Sequence, residues 1–309
     1  MTDLYNLLAC PRDHGALTAA DDVLTCATCS SAYPVREGVV SFVDAAELTE
    51  RDRREQSSRD DEASWYDSMF EGYTNAIEVP TVVRRLGDPQ GPIVDIGSGT
   101  GRITEALLQL GQPVVALDYS EASLRTLLKR CADAPAPVLA VQADIRRLPL
   151  REATFHAATS VQVYGHIRGA DVRRTMLQSI ARALVPGAPF AVTNYNYNLM
   201  FRAWRLKGNE GAREGEHMLG GDLYYIRQTG TEFKAELAEV FDVPELVGMR
   251  NIPVRKIGAV LHKLGLQKAG DRYLEWMVDR GHRVDMALER TPLSHAVGFF
   301  WLAKAVRRP

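Results

Sequence analysis

Between residues 93 and 194 short apolar runs alternate with helical stretches, and this alternation leaves the chain few architectures to adopt. Residues 93–96, 113–117, 138–141, 155–160 and 190–194 read as strands. Residues 101–110, 120–131 and 172–184 read as helices, the second opened by Ser120 as N-cap. Parallel neighbours in a sheet need a long crossover, usually a helix, so this repeat predicts a parallel sheet with helices on both faces. The expected fold class is α/β, doubly wound. Residues 243–248 and 297–306 are also strand-like and would close the sheet, with a helix over 232–240. Helical spacing through Trp65, Met69, Ile77, Val82, Val83 and Leu86 predicts a helix or helix pair that caps the domain.

At 309 residues the chain exceeds one average domain, and with 46% hydrophobic and 25% charged residues it can bury a large core. Residues 1–46 hold only short strand-like pieces and turns, too few apolar side chains for an independent core, so this module needs a staple. Residues 47–62 are nearly all charged or polar and read as a partly helical linker. The main domain is expected over 63–309. Within it, 194–231 (rich in Gly, Tyr, Asn and Arg) and the C-terminal helical insertion 255–290 break the rhythm; both are expected on the substrate side, the second as a lid or an oligomer contact. A formal net charge of −2 gives no global field to gather nucleic acid or anionic lipid. No stretch approaches the ~20 apolar residues of a membrane span, and none has a signal-peptide pattern, so a cytoplasmic protein without a membrane partner is expected.

The sharpest chemical signal is Val94-Asp95-Ile96-Gly97-Ser98-Gly99-Thr100-Gly101-Arg102, a strand that runs into a glycine loop and then a helix. Such glycines let the backbone turn sharply and admit a ligand against bare main chain. The dinucleotide fingerprint wants a further glycine where Arg102 stands, which disfavours NAD and FAD, and no Gly-Lys-Ser/Thr follows for a phosphate loop. Asp118 stands 21 residues after Gly97 at the end of the second strand, where a carboxylate can accept both hydroxyls of a ribose. The third strand ends in Gln142-Ala143-Asp144-Ile145, with a carboxylate suited to the exocyclic amine of an adenine. Three strand ends thus converge on one adenosine.

On these residues the chain resembles the class I S-adenosylmethionine methyltransferases, with their Asp-x-Gly-x-Gly-x-Gly loop, strand-two acid and strand-three Asp. The resemblance implies a seven-stranded, Rossmann-like sheet and S-adenosyl-L-methionine as cofactor. Asp95, Gly97 and Gly99 would border its methionine part, with Ser98 and Gly101 in the same loop; Asp118 and Tyr119 would meet the ribose, and Asp144 and Ile145 the adenine. It also implies that Tyr66 and Tyr73 close over the cofactor and that Ser160 and Val161, ending the fourth strand, face it.

Of the four cysteines, Cys10, Cys26 and Cys29 crowd the first thirty residues, which suggests a metal rather than a disulfide framework. Cys26-Ala27-Thr28-Cys29 has the spacing that grips zinc, Cys10 supplies a third sulfur, and His14, or in its place Asp13, supplies the fourth ligand. Cys131 reads as an inert apolar residue. From Leu7-Leu8-Ala9-Cys10-Pro11 to Tyr33-Pro34-Val35-Arg36-Glu37-Gly38 the chain is similar to the small zinc-ribbon proteins that activate tRNA and translation-factor methyltransferases. That similarity implies a β module with structural zinc. Its departure at Asp13, where a cysteine is usual, keeps a metal-free β module open as well.

The fourth strand runs into Thr159-Ser160-Val161-Gln162-Val163-Tyr164-Gly165-His166, without the Asn/Asp-Pro-Pro-Tyr/Phe turn of nucleic-acid and protein N-methyltransferases. The stretch is closer to small-molecule methyltransferases, in which His166 would either act as general base or shape the pocket. Tyr195 and His217 are further catalytic candidates, and Tyr197, Tyr224, Tyr225 and Arg227 candidate substrate contacts. The expected function is methyl transfer to an oxygen, nitrogen or carbon of a small molecule, in biosynthesis. RNA base methylation and a non-catalytic, cofactor-binding regulator stay open, as does a homo-oligomer.

Overall fold

The structure is a computed structural model that describes residues 2–62, 72–205, 213–216, 224–252, 254–289 and 291–309. A 3₁₀ turn (Thr2–Leu7) is followed by β1 (Leu17–Ala20), β2 (Val23–Cys26), β3 (Ala32–Arg36) and β4 (Val39–Ser41). Helices α1 (Glu50–Glu62) and α2 (Tyr73–Leu86) lead into β5 (Ile93–Ile96), α3 (Arg102–Leu108), β6 (Val114–Asp118), α4 (Glu121–Arg130), β7 (Val138–Gln142), β8 (Ala157–Ser160), α5 (Ala170–Ala183) and β9 (Pro189–Asn196). Then come α6 (Leu199–Arg205), β10 (Glu214–Gly215), β11 (Tyr225–Gln228), α7 (Gly230–Ala238) and β12 (Phe241–Met249). Helices α8 (Val254–Lys263), α9 (Gln267–Trp276), α10 (His282–Leu288) and α11 (Pro292–Val297) precede the last strand, β13 (Phe300–Arg307).

Strand β5 lies between β6 and β8 and is parallel to both, with Asp95 opposite Ala116 and Thr159. On one flank β7 follows β6. On the other, β9 follows β8 in parallel, and antiparallel β13 and then β12 complete the set. These seven strands are the predicted doubly wound sheet. Because the winding reverses at β5, a crevice opens beyond the carboxyl ends of β5, β6 and β8. Strand pleating sends alternate side chains to opposite faces: Val94, Ile96, Val115, Leu117, Leu139 and Val141 join one apolar cluster, Ile93, Val114, Ala116 and Ala140 the other.

The N-terminal module is built into this sheet. Strand β4 pairs in parallel with β7, Val39 opposite Ala140 and Ser41 opposite Gln142, and β3, β2 and β1 follow antiparallel. Leu4, Leu8, Leu24, Tyr33 and Val40 enter the same apolar cluster as Val115 and Leu139. The module thus obtains the core it is too small to build, at about 1.5–3 kcal/mol for each fully buried aliphatic side chain, and covers an edge that would otherwise present unpaired N–H and C=O groups.

The described residues of the C-terminal helical insertion, expected as a lid or an oligomer contact, pack on one another and on α2. Helices α8 and α9 pack as a hairpin through Gly258 against Leu274 and Gly270 against His262. Helix α10 docks on α2, where the Tyr73 hydroxyl donates to Asp285 at 2.6 Å and Arg84 pairs with Glu289. Among the described residues, none of α8, α9 or α10 lines the crevice. No helix is long and apolar enough to cross a membrane among the described residues.

Candidate active site

The crevice encloses about 1250 Å³ between the ends of β5–β8, helix α1 and the residues Glu216 and Tyr224. Its floor is the glycine loop. Gly97 has φ 72°, and a Cβ there would fall 2.1 Å from Val163 Cγ2, so only glycine fits beneath that wall. Gly101 likewise sits at φ 91° against Leu127. The loop is held by Asp118: the Gly99 N–H donates to its Oδ2 at 2.8 Å and the Ser120 N–H to its Oδ1 at 2.9 Å. Each carboxylate oxygen keeps acceptor capacity for a ligand. Burial raises the Asp118 pKa, against the opposing pull of these two N–H groups. Asp95, by contrast, is sealed beneath the loop, its oxygens accepting from the Thr104 and Thr159 hydroxyls at 2.7 Å each, and burial holds its pKa up at about 6.

Helix α1 forms the opposite wall, through residues from Glu50 to Asp61. Having no apolar face, it is held by polar contacts. Arg146 bridges Asp144 and Asp52, and Asp60 accepts from the Ser120 hydroxyl. Beneath it the Tyr119 carbonyl accepts from Gln142 Nε2, whose own Oε1 accepts from Ser41 of β4. The Tyr119 hydroxyl is buried without a hydrogen-bond partner among the described residues.

At the far end His166 is pinned at both nitrogens. Nδ1 lies 2.7 Å from the Tyr224 carbonyl, which can only accept, so Nδ1 carries the proton and Nε2, 3.1 Å from the Tyr195 hydroxyl, accepts. Burial, assisted by the charge of Arg59, lowers its pKa to about 3. Next to it, Gln162 lines the cavity and hands both Nε2 bonds to Glu78 of α2.

Nine residues predicted from sequence therefore line one cavity: Gly97, Gly99, Asp118, Tyr119, Asp144, Ile145, Val161, His166 and Tyr224. Others stand behind it. Asp95, Ser98, Gly101 and Ser160 are buried supports of the loop and strand ends rather than lining residues, and Tyr195 backs His166. Tyr73 was expected over the cofactor but turns to Asp285, because the α2–α10 contact offers its hydroxyl a carboxylate. Tyr197 lines a separate cavity between α6 and α7, while Tyr225 and Arg227 stack on each other, the guanidinium 4.4 Å from the ring centre. Tyr66 and His217 lie outside the described residues. Sequence reasoning missed the α1 wall and Gln162. A polar helix gives no periodic signal, and nothing local marks Gln162 except its place after the fourth strand.

In the module, Cys10, Asp13, Cys26 and Cys29 bring their ligand atoms within 4.8 Å of one another. A tetrahedral zinc ~2.3 Å from each sulfur spaces two sulfurs roughly 3.8 Å apart, and Cys10 and Cys29 stand at 3.6 Å. Three thiols and one carboxylate therefore fit a structural zinc. His14 is the correction here. It follows Asp13 in a left-handed turn, φ 59°, and Asp13, its Oδ1 anchored by the Gly15 N–H, takes the fourth position instead.

Residues 93–187 match the methyltransferase domain family and residues 2–38 the Trm112p-like protein family. An uncharacterised methyltransferase of Bacillus subtilis is 33% identical over 98 residues, covering 32% of this chain and 40% of that protein. The human mitochondrial ubiquinone biosynthesis O-methyltransferase is 30% identical over 110 residues, 34% of this chain and 28% of that protein. The chain thus spans two fifths or less of these relatives' lengths. Among solved structures, the Haemonchus contortus phosphoethanolamine N-methyltransferase 2 with S-adenosyl-L-methionine superposes at TM-score 0.54 and 15% identity, over 85% of this chain and 61% of that one. A Haloferax volcanii complex of the Trm112 methyltransferase activator with a methyltransferase reaches TM-score 0.50 and 17% identity, over 85% of this chain and 99% of that one.

Proposed function

We propose, for a chain that carries a methyltransferase domain behind a Trm112p-like module, that it transfers the methyl group of S-adenosyl-L-methionine to a small-molecule acceptor. The observation that carries the proposal is Asp118, clamped to the glycine loop by Gly99 at the floor of a 1250 Å³ cavity. Adenosyl binding needs such a carboxylate at the end of the second strand, and the volume leaves space for an acceptor besides. The Tyr119 hydroxyl, buried and unpartnered among the described residues, and the bare backbone at Gly97 and Gly99 fit the same ligand.

When bound, the cofactor supplies a methyl group on a sulfonium that is displaced in line by the acceptor. The protein's part is alignment. Asp118 would hold the ribose, Tyr119 and Ile145 flank the base, and α1 cover the site. His166 is assigned a positioning role: with one nitrogen donated, the other accepting and its pKa near 3, it braces the Tyr224 wall rather than taking a proton. A small acceptor is favoured over RNA because the five arginines that line the cavity are outnumbered by its seven carboxylates, and three of them are ion-paired: Arg54 with Glu50, Arg146 with Asp52 and Asp144, Arg168 with Glu216. Little net charge is left to gather phosphates.

The test is release of S-adenosyl-L-homocysteine, followed by mass spectrometry, from the protein with S-adenosyl-L-methionine and a panel of phenols, amines and quinols. Turnover on a member of the panel is expected. Turnover on RNA alone, with affinity that falls steeply with salt, would overturn the small-molecule assignment.

A further inference from the structure

Among the described non-glycine residues that line the cavity, Gln162 alone has a left-handed backbone, φ 61°. Side chains rarely adopt it, and such strain persists where the surroundings enforce it. Here they do. The Gln162 N–H donates to Thr193 Oγ1 at 2.7 Å, and its Nε2 donates to both oxygens of Glu78, at 2.8 and 3.0 Å. Glu78 is wholly buried, ion-paired with Arg102 at 2.9 Å and faced by Arg250 at 3.7 Å.

That pairing fixes which end of the carboxamide is which. A carboxylate only accepts, so the amide nitrogen must face Glu78, and the oxygen must face away. Gln162 lines the cavity, and its Oε1 has no hydrogen-bond partner among the described residues yet is not one of the polar atoms sealed from solvent. The place on that wall is also set. Strand β8 runs in register with β5, Asp95 opposite Thr159, so residues 161–163 leave the sheet beside the glycine loop. Val163 packs directly on Gly97. The adenosine end lies two and three strands away, at Asp118 after β6 and Asp144 after β7.

Resting on the methyl-transfer reading, we infer that Gln162 is a specificity-determining residue for the acceptor: its Oε1 receives a hydrogen bond from an N–H or O–H carried on the atom that takes the methyl group. The protein therefore selects alcohols, phenols or amines over carbon nucleophiles, which bring no such donor. A carboxamide is too weak a base to keep the proton. As the acceptor's lone pair forms its bond to the methyl carbon, the sulfur leaves with the electron pair of the broken bond, and the acceptor's proton passes to solvent water. Gln162 orients the lone pair by holding the hydrogen.

The inference is tested without knowing the acceptor. Sinefungin places an amine where the transferred methyl stands, whereas S-adenosyl-L-homocysteine has nothing there. Calorimetric titration of the full chain with each ligand gives two affinities. Gln162→Leu is expected to weaken sinefungin roughly tenfold or more, the effect of a lost hydrogen bond to a charged group, and to leave S-adenosyl-L-homocysteine within twofold. Glu78→Gln, which frees the carboxamide to flip, is expected to lower the sinefungin preference by a smaller factor, and serves also if the leucine variant fails to fold. An unchanged ratio of the two affinities in the folded variants overturns the inference and leaves the methyl-transfer reading standing. Wild-type protein that binds neither ligand overturns both.

Discussion

Acidification should weaken the fold through His166. The ring is held neutral by the Tyr224 carbonyl and the Tyr195 hydroxyl, and its pKa is lowered from 6.5 to about 3. Because the folded value is the lower one, the unfolded chain binds the proton more readily, so the contribution to stability is complete above pH 6.5 and is lost as pH falls toward 3. At pH 4.5 the difference is about two pH units, or about 2.7 kcal/mol. The ring borders an open cavity, and solvent screening trims this to about 2 kcal/mol. Asp95 acts with the opposite sign. Its folded pKa, about 6 against 3.8, makes the native state the better proton binder between those values, so acidification through that window adds stability. The wild-type curve alone therefore does not isolate His166. Urea unfolding of wild type and His166→Asn at pH 7.5 and pH 4.5 does, since Asn can still donate to the Tyr224 carbonyl but does not titrate. The stability advantage of wild type should shrink by about 2 kcal/mol between the two conditions; an advantage equal at both would refute the argument.

Two further outcomes follow from the module. Leu8, 1% exposed, belongs to the cluster that runs under the main sheet, so Leu8→Ala should cost about 2–5 kcal/mol and shift one common unfolding transition. Separate transitions for the module and the main domain by circular dichroism and tryptophan fluorescence would contradict the shared core. Wild-type protein should carry one zinc by metal analysis. Asp13→Ala should weaken it at least tenfold in chelator competition while His14→Ala leaves it unchanged; the reverse pattern would restore His14 as the ligand.

The strand–helix repeat was legible because a parallel sheet buried on both faces demands apolar runs, and β5 through β9 are such runs. The cavity floor was legible for the same kind of reason: Gly97, at a left-handed φ, and Asp118, at the end of β6, are residue types that the turn and its anchoring carboxylate require at fixed places. What escaped was long-range pairing. Nothing in Val39-Val40-Ser41 announces that it joins Ala140–Gln142, a hundred residues on, because a three-residue strand carries no register signal. Helix α1 escaped because polar side chains say nothing about which surface they face, and Gln162 because its role depends on Glu78, supplied by a distant helix. His14 and Asp13 were indistinguishable by spacing, and only the turn at Gly15 separates them.

The central claim is that the floor formed by Gly97, Gly99 and Asp118 holds an adenosyl group, and isothermal titration with S-adenosyl-L-homocysteine tests it most directly. Saturable binding near one ligand per chain is predicted, weakened in Asp118→Asn by about 1.5–3 kcal/mol, which is roughly 10- to 150-fold in Kd. No heat of binding in the wild type, or equal affinity in the variant, would contradict it.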